Sequence, residues 1–239
     1  MKAAFRFARA VLHLLLGLWI VKTKFAKASQ KQRADQVQQW SAQLLSILGL
    51  QLRVIGEPIA SGMIVANHIS WLDNVAIHSA HFCRFIAKSD IKNWPLIGYL
   101  TGQTGMLFIE RTSRRDAHRV VEAVAARLLA GDCVAVFPEG TTGEGRELLP
   151  FHANMIQSAI DANSKVQPVA IRYIDSASGE QSFAPSFIGD DTLLQSVWNT
   201  LRAKPMTAVL VFGQPEWAAG RDRRTWAHQL RTSIHTMLS

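Results

Sequence analysis

Five short apolar or β-branched runs punctuate the middle and end of the chain: residues 63–66, 106–109, 134–137, 166–171 and 208–212. Apart from Gln167 in the fourth, they are continuous rather than alternating, the pattern of strands buried on both faces. Between them the apolar positions recur at helical spacing, predicting helices over 72–81, 114–130, 152–163, 190–202 and 222–238. Ser113 and Asp116 form a capping box before the second of these, and Gly131 ends it. In the fourth, Leu193, Leu194, Val197, Trp198 and Leu201 share one face. Strands alternating with helices predict an α/β fold with a mostly parallel or mixed central sheet flanked by helices.

The first fifty residues read differently. An apolar run over 10–21, interrupted once by His13, precedes a helical pattern over 35–48 carried by Val37, Trp40, Leu44, Leu45 and Leu48. Together they predict an N-terminal helical hairpin. The division expected is therefore 1–50 as membrane-associating helices and 51–239 as a catalytic domain. A run of twelve is short for a hydrocarbon layer that needs about 20 residues. Basic residues on both sides and Trp19 near one end suit a helix lying in one leaflet. A true span and a cleaved leader, with Ala26-Lys27-Ala28 as its processing site, are the alternatives.

Charge sharpens this reading. Of the 26 Lys and Arg residues, eight precede Asp35, the first acid, leaving 18 to balance the 18 Asp and Glu. The net +8 thus belongs to the N-terminal segment, which fits an anionic membrane surface on the cytoplasmic face of the cytoplasmic membrane. A neutral body argues against nucleic acid as a partner. Two isolated cysteines, Cys83 and Cys133, indicate no disulfide framework. His78, His81 and Cys83 lack a matching second pair or a carboxylate, so no metal is expected.

The candidate chemistry gathers where predicted strands end. After the first strand comes Asn67-His68-Ile69-Ser70-Trp71-Leu72-Asp73, a base and a carboxylate with four residues between them. On one continuous helix a five-residue step turns about 140° and would part the two side chains. They meet only across a bend, and Ser70-x-x-Asp73 supplies one as a capping box with Ser70 as the helix N-cap. Alone, the pair is equally a helix cap beside a structural histidine. After the second strand, Arg111 is a candidate phosphate fork or a partner of an ordinary ion pair. After the third, Phe137-Pro138-Glu139-Gly140-Thr141-Thr142-Gly143 stops the ladder at proline and gives the backbone two flexible points. Pro168, inside the fourth, is read by default as core packing and otherwise as an edge or a bulge.

Together these blocks resemble the glycerolipid acyltransferase family, whose best-known members are bacterial 1-acyl-sn-glycerol-3-phosphate acyltransferases. Asn67-His68-x-Ser70-x-x-Asp73 looks like its first motif, Gly105-x-x-Phe108-Ile109-x-Arg111 its second, Phe137-Pro138-Glu139-Gly140-Thr141 its third and the Pro168 strand its fourth. The resemblance covers about residues 60–172. It implies transfer of a fatty acyl group from acyl carrier protein or coenzyme A thioester to the hydroxyl of a lysolipid, with no cofactor. Lysophosphatidate giving phosphatidic acid is the first acceptor it suggests. His68 is then the general base and Asp73 its orienting carboxylate, with Arg111, Lys88, Glu139, Gly140 and Thr141 as substrate-binding residues. Backbone N–H groups near Gly140 and Thr141 are the expected oxyanion donors. Ser70 as an acyl-forming nucleophile is disfavoured, because capping already accounts for it. One departure stands out: many phosphatidate-forming members carry arginine after the third motif, where this chain has Thr142-Gly143. That opens lyso-ornithine lipid or another lysolipid as acceptor, unless Arg146 serves instead. A thioesterase and a non-catalytic membrane-binding module are the remaining classes.

Overall fold

The structure is a computed structural model that describes residues 2–109 and 114–239. Its centre is a seven-stranded sheet of β1 (Leu50–Ile55), β2 (Gly62–Ala66), β3 (Arg84–Lys88), β4 (Leu107–Ile109), β5 (Cys133–Val136), β6 (Val166–Asp175) and β7 (Met206–Phe212). The order across the sheet is β1-β7-β6-β2-β5-β3-β4. Every pairing is parallel except β6 with β7, so β1 and β7 run against the other five strands. The expected mixed α/β sheet is present.

Eight α-helices accompany the described strands: α1 (Lys2–Lys24), α2 (Gln30–Leu48), α3 (Leu72–Ala80), α4 (Ile97–Gln103), α5 (Arg114–Leu129), α6 (Asn154–Asp161), α7 (Leu193–Arg202) and α8 (Arg223–Leu238). Successive residues of a central strand face opposite sides, and β2 uses both sides for core. Ile64 and Ala66 join Leu45, Leu48, Leu72, Ile77 and Leu201 under α2, α3 and α7. Met63 and Val65 join Val124, Ile156, Trp226 and Leu230 under α5, α6 and α8. Two helical layers therefore sandwich the sheet, and α2 of the N-terminal hairpin shares the first core.

Several expectations need adjustment. β1 and β3 lie outside the five predicted strands, and α4 outside the predicted helices. β1 sits at the edge of the sheet with only Leu50 buried, so its side chains do not form a continuous apolar run. Pro168 is not at an edge: β6 lies between β2 and β7. Its missing N–H is tolerated because the ladder with β7 begins at Val169, while its carbonyl accepts from the Gly213 N–H at 2.9 Å. The capping position expected at Ser113 lies outside the described residues.

α1 is longer than its apolar run. Lys2–Lys27 is long and apolar enough, by length and composition, to cross a bilayer. One face of it is nevertheless committed to protein. His13 Nε2 bonds to the Trp40 carbonyl at 2.9 Å and its ring stacks on Trp40 at 4.8 Å. Gly17 lets the indole close in, for a Cβ there would come within 2.7 Å of Trp40 Nε1. Phe7 meets Trp198 of α7 edge-on at 6.2 Å. The opposite face leaves Phe5, Leu12, Leu15, Leu16 and Trp19 exposed.

Candidate active site

Parallel pairing puts the chemistry at one end of the sheet. β2 and β5 are hydrogen-bonded neighbours with Val65 opposite Val136, so the segments that leave them emerge side by side. Those segments are Asn67-His68 and Phe137-Pro138-Glu139. On the other flank of β2, Ala66 stands opposite Val169 of β6. Asn67 secures that flank: its side chain donates to the Ile171 carbonyl at 2.9 Å and accepts from the Ile171 N–H at 2.7 Å.

The bend required between His68 and Asp73 is present. Asp73 lies in the first turn of α3 and is fully buried, and its Oδ2 is 2.8 Å from His68 Nδ1. The same oxygen accepts from the Ile69 N–H at 2.6 Å and the Ser70 N–H at 2.9 Å. The carboxylate therefore satisfies both of these buried backbone donors of the bend. Ser70 contributes less than expected: the N-cap position falls at Trp71, and Ser70 Oγ only accepts from the Leu72 N–H at 3.4 Å. The reciprocal capping box is half formed, with Asp73 supplying the bond that survives. Ser70 is itself fully buried.

Because a carboxylate accepts, Nδ1 of His68 carries the hydrogen and Nε2 presents a lone pair. Nε2 makes no hydrogen bond among the described residues. The imidazole lies flat on Phe137, with centroids 3.9 Å apart and planes 7° from parallel, and its side chain is 18% exposed. It is thus held on two sides, and the residue lines a pocket. Asp73 has a further partner that the sequence reading missed: Tyr173 Oη donates to Oδ1 at 2.7 Å. No local pattern signals a contact across 100 residues.

Glu139 is buried, and both oxygens serve backbone donors: Oε1 accepts from the His68 N–H at 2.7 Å and Oε2 from the Leu149 N–H at 2.8 Å. Burial raises its pKa above the usual carboxylate value, and the two N–H donors partly oppose that. Glu139 clamps the His68 turn to the loop after β5. Gly140 follows with φ +73°, a left-handed turn that favours glycine. Its N–H donates to the Phe137 carbonyl at 3.1 Å. Thr141 is exposed, and its N–H makes no hydrogen bond among the described residues. Gly143 ties the loop back, donating to the His68 carbonyl at 2.8 Å. The Thr142 hydroxyl donates to the Phe187 carbonyl.

Lys88 is exposed at the C-terminal end of β3, opposite Ile109 of β4. Arg111 lies outside the described residues. Arg146 pairs with Glu144 at 3.0 Å and lies over the Phe183 ring at 4.1 Å. It also lines a pocket of about 150 Å³ together with His68, Glu139, Arg172 and His235. Elsewhere, His78 Nε2 donates to the Cys83 carbonyl at 2.8 Å, and burial lowers its pKa to about 4. Among the described residues no group of three or more His, Cys, Asp or Glu side chains is placed to hold a metal ion.

The protein-family model described as Acyltransferase matches residues 51–172, the span that runs from β1 through the strand with Pro168. This chain belongs to the acyltransferase family. A 1-acyl-sn-glycerol-3-phosphate acyltransferase of Neisseria gonorrhoeae is 38% identical to this acyltransferase over 178 residues, covering 74% of this chain and 69% of the relative. A lyso-ornithine lipid O-acyltransferase of Pseudomonas aeruginosa is 35% identical over 200 residues, covering 83% and 76%. Among solved structures, the 1-acyl-sn-glycerophosphate acyltransferase of Thermotoga maritima superposes with a TM-score of 0.67 over 97% of both chains. At 18% identity that likeness speaks to the fold.

Proposed function

We propose that this acyltransferase moves a fatty acyl group from an acyl carrier protein or coenzyme A thioester to the free hydroxyl of a lysolipid at the membrane surface. The 2.8 Å contact between His68 Nδ1 and Asp73 carries the reading, because it leaves Nε2 as a base on a residue that lines a pocket. Nε2 takes the hydroxyl proton as the lysolipid oxygen attacks the thioester carbonyl, and Asp73 stabilises the imidazolium that forms. The tetrahedral intermediate then collapses, the C–S bond breaks, and the thiol leaves with the proton held by His68. The Thr141 N–H is a donor for the transient oxyanion. Glu139 serves the site indirectly, through the backbone of His68.

For the acceptor we favour 1-acyl-sn-glycerol-3-phosphate, yielding phosphatidic acid, with Lys88 and Arg111 binding the phosphate. Arg146 supports this choice, since it lines the His68 pocket and offers the guanidinium missing at Thr142. Thr142 itself favours the second reading, lyso-ornithine lipid: its hydroxyl is turned to the Phe187 carbonyl and adds no charge to the site. Residues 1–50 act as the membrane-associating part and 51–239 as the catalytic part. α1 lies in one leaflet on the cytoplasmic face, which its protein-bound face at His13 and Gly17 supports.

One experiment tests the whole reading. Purified protein is given acyl carrier protein and coenzyme A thioesters with lysophosphatidate and lyso-ornithine lipid side by side, and products are identified by mass. The expected product is phosphatidic acid, absent with His68→Ala. Free fatty acid alone would make the protein a thioesterase, and full activity in the alanine variant would refute the mechanism.

A further inference from the structure

We propose that Tyr173 is a positioning residue for acyl transfer, its hydroxyl pinning the Asp73 oxygen that His68 does not use. The proposal rests on His68 being the base. β6 makes the contact possible by running past the end of β2: Ala66 of β2 stands opposite Val169, and Tyr173 lies four residues beyond. The strand thereby carries a phenol over the top of the His68 turn, to the buried start of α3. Tyr173 is 1% exposed, and a buried phenol needs a hydrogen-bond partner. Asp73 Oδ1 is that partner at 2.7 Å.

The distribution of donors around Asp73 shows what the contact does. Oδ2 receives His68 Nδ1, the Ile69 N–H and the Ser70 N–H, while Tyr173 is the donor on Oδ1. With each oxygen held from a different direction, the carboxylate cannot rotate, so Oδ2 stays aimed at the imidazole. The hydroxyl also draws negative charge toward Oδ1 and moderates the pull of Oδ2 on the Nδ1 hydrogen. Burial first, and the Asp73 charge second, push the Tyr173 phenol well above its usual pKa, so it remains the donor throughout.

Other charged groups face this centre. Glu139, from the loop after β5, feels the charges of both His68 and Asp73. Arg146 and Glu147 of the same loop, Arg172 of β6 and His235 of α8 line the pocket that includes His68. A useful test therefore changes the Tyr173 hydroxyl and leaves these groups alone.

Tyr173→Phe does so. Without the donor, Asp73 holds its charge more tightly against His68 and favours the imidazolium. The acid limb of the kcat/KM profile is expected to move up by about 0.5–1 pH unit, with kcat falling about 5- to 50-fold and KM for both substrates within about threefold. A complementary variant keeps the phenol. The chain has only two tyrosines, so in a Tyr99→Phe background 3-fluorotyrosine enters at position 173 alone. Tyr99 is exposed on α4 and does not line the pocket that includes His68. The fluorinated phenol donates more strongly, and the acid limb is expected to move down. If Tyr173→Phe fails to fold, the fluorotyrosine protein decides the matter. Superimposable pH profiles, or a rise in lysolipid KM at unchanged kcat, would overturn the proposal while His68→Ala stays inactive. Activity in His68→Ala would instead overturn the reading on which it rests.

Discussion

Asp73→Asn tests the site at its most constrained point. The amide has one oxygen and one NH2 to offer where the carboxylate had two acceptors. Placed with NH2 at the Oδ2 position, it would oppose three donors: His68 Nδ1–H, the Ile69 N–H and the Ser70 N–H. The substituted side chain is therefore expected with its oxygen there and its NH2 toward the Tyr173 hydroxyl, which can turn to accept. The geometry survives and the charge does not. Bonds to a charged acceptor are roughly twice as strong as neutral ones, so each of the three loses about 0.5–1 kcal/mol, or about 2 kcal/mol together. For a chain of this size that lowers Tm by about 4–8 °C. The chemical loss is greater. A neutral amide no longer stabilises the imidazolium, and the corresponding exchange in a Ser-His-Asp triad lowers kcat by about 10⁴-fold. With the amide oxygen facing Nδ1–H the imidazole keeps its tautomer, so this site is expected to lose about 10³-fold. Initial rates of ester formation, beside a thermal melt, separate the two effects. Activity within tenfold of wild type in a folded Asp73→Asn variant would show that Asp73 merely closes a turn.

Glu139→Gln is expected to cost about 1–2 kcal/mol, because an amide can satisfy only one of the His68 and Leu149 N–H groups, and to lower kcat by loosening the His68 turn. Since burial raises the Glu139 pKa, the native state binds its proton more tightly than the unfolded chain. Stability contributed here falls as pH rises from the ordinary Glu range through the raised value, and the slope in urea midpoints should vanish in Glu139→Gln. His78 has the opposite sign. Held neutral to about 4 while the unfolded chain protonates near 6.5, it makes the fold lose about 3 kcal/mol as pH drops across that window. Urea unfolding of His78→Leu should show that acid slope flattened, and an unchanged slope would refute the assignment.

The local rules of the chain were enough for much of this protein. Continuous apolar runs marked β2, β5 and β7 as strands buried on both faces, and helical spacing marked α2, α3, α5 and α8 within a few residues. The His68-to-Asp73 spacing allowed the two side chains to meet only across a bend, and the fold supplies that bend with a 2.8 Å contact across it. Motif order along the chain pointed to acyl transfer, and the family match over residues 51–172 agrees. β1 and β3 escaped because an edge strand and a short strand ending in exposed Lys88 carry little of the apolar signal. The rest was decided by which strands lie side by side. The pairing of β2 with β5 turns Glu139 from a motif letter into a clamp on the His68 backbone. The overshoot of β6 brings Tyr173 to Asp73 from 100 residues away, and the sheet order puts Pro168 in an interior strand. Periodicity and spacing report only forces between near neighbours in the chain, whereas a buried carboxylate finds its donors wherever the sheet order delivers them.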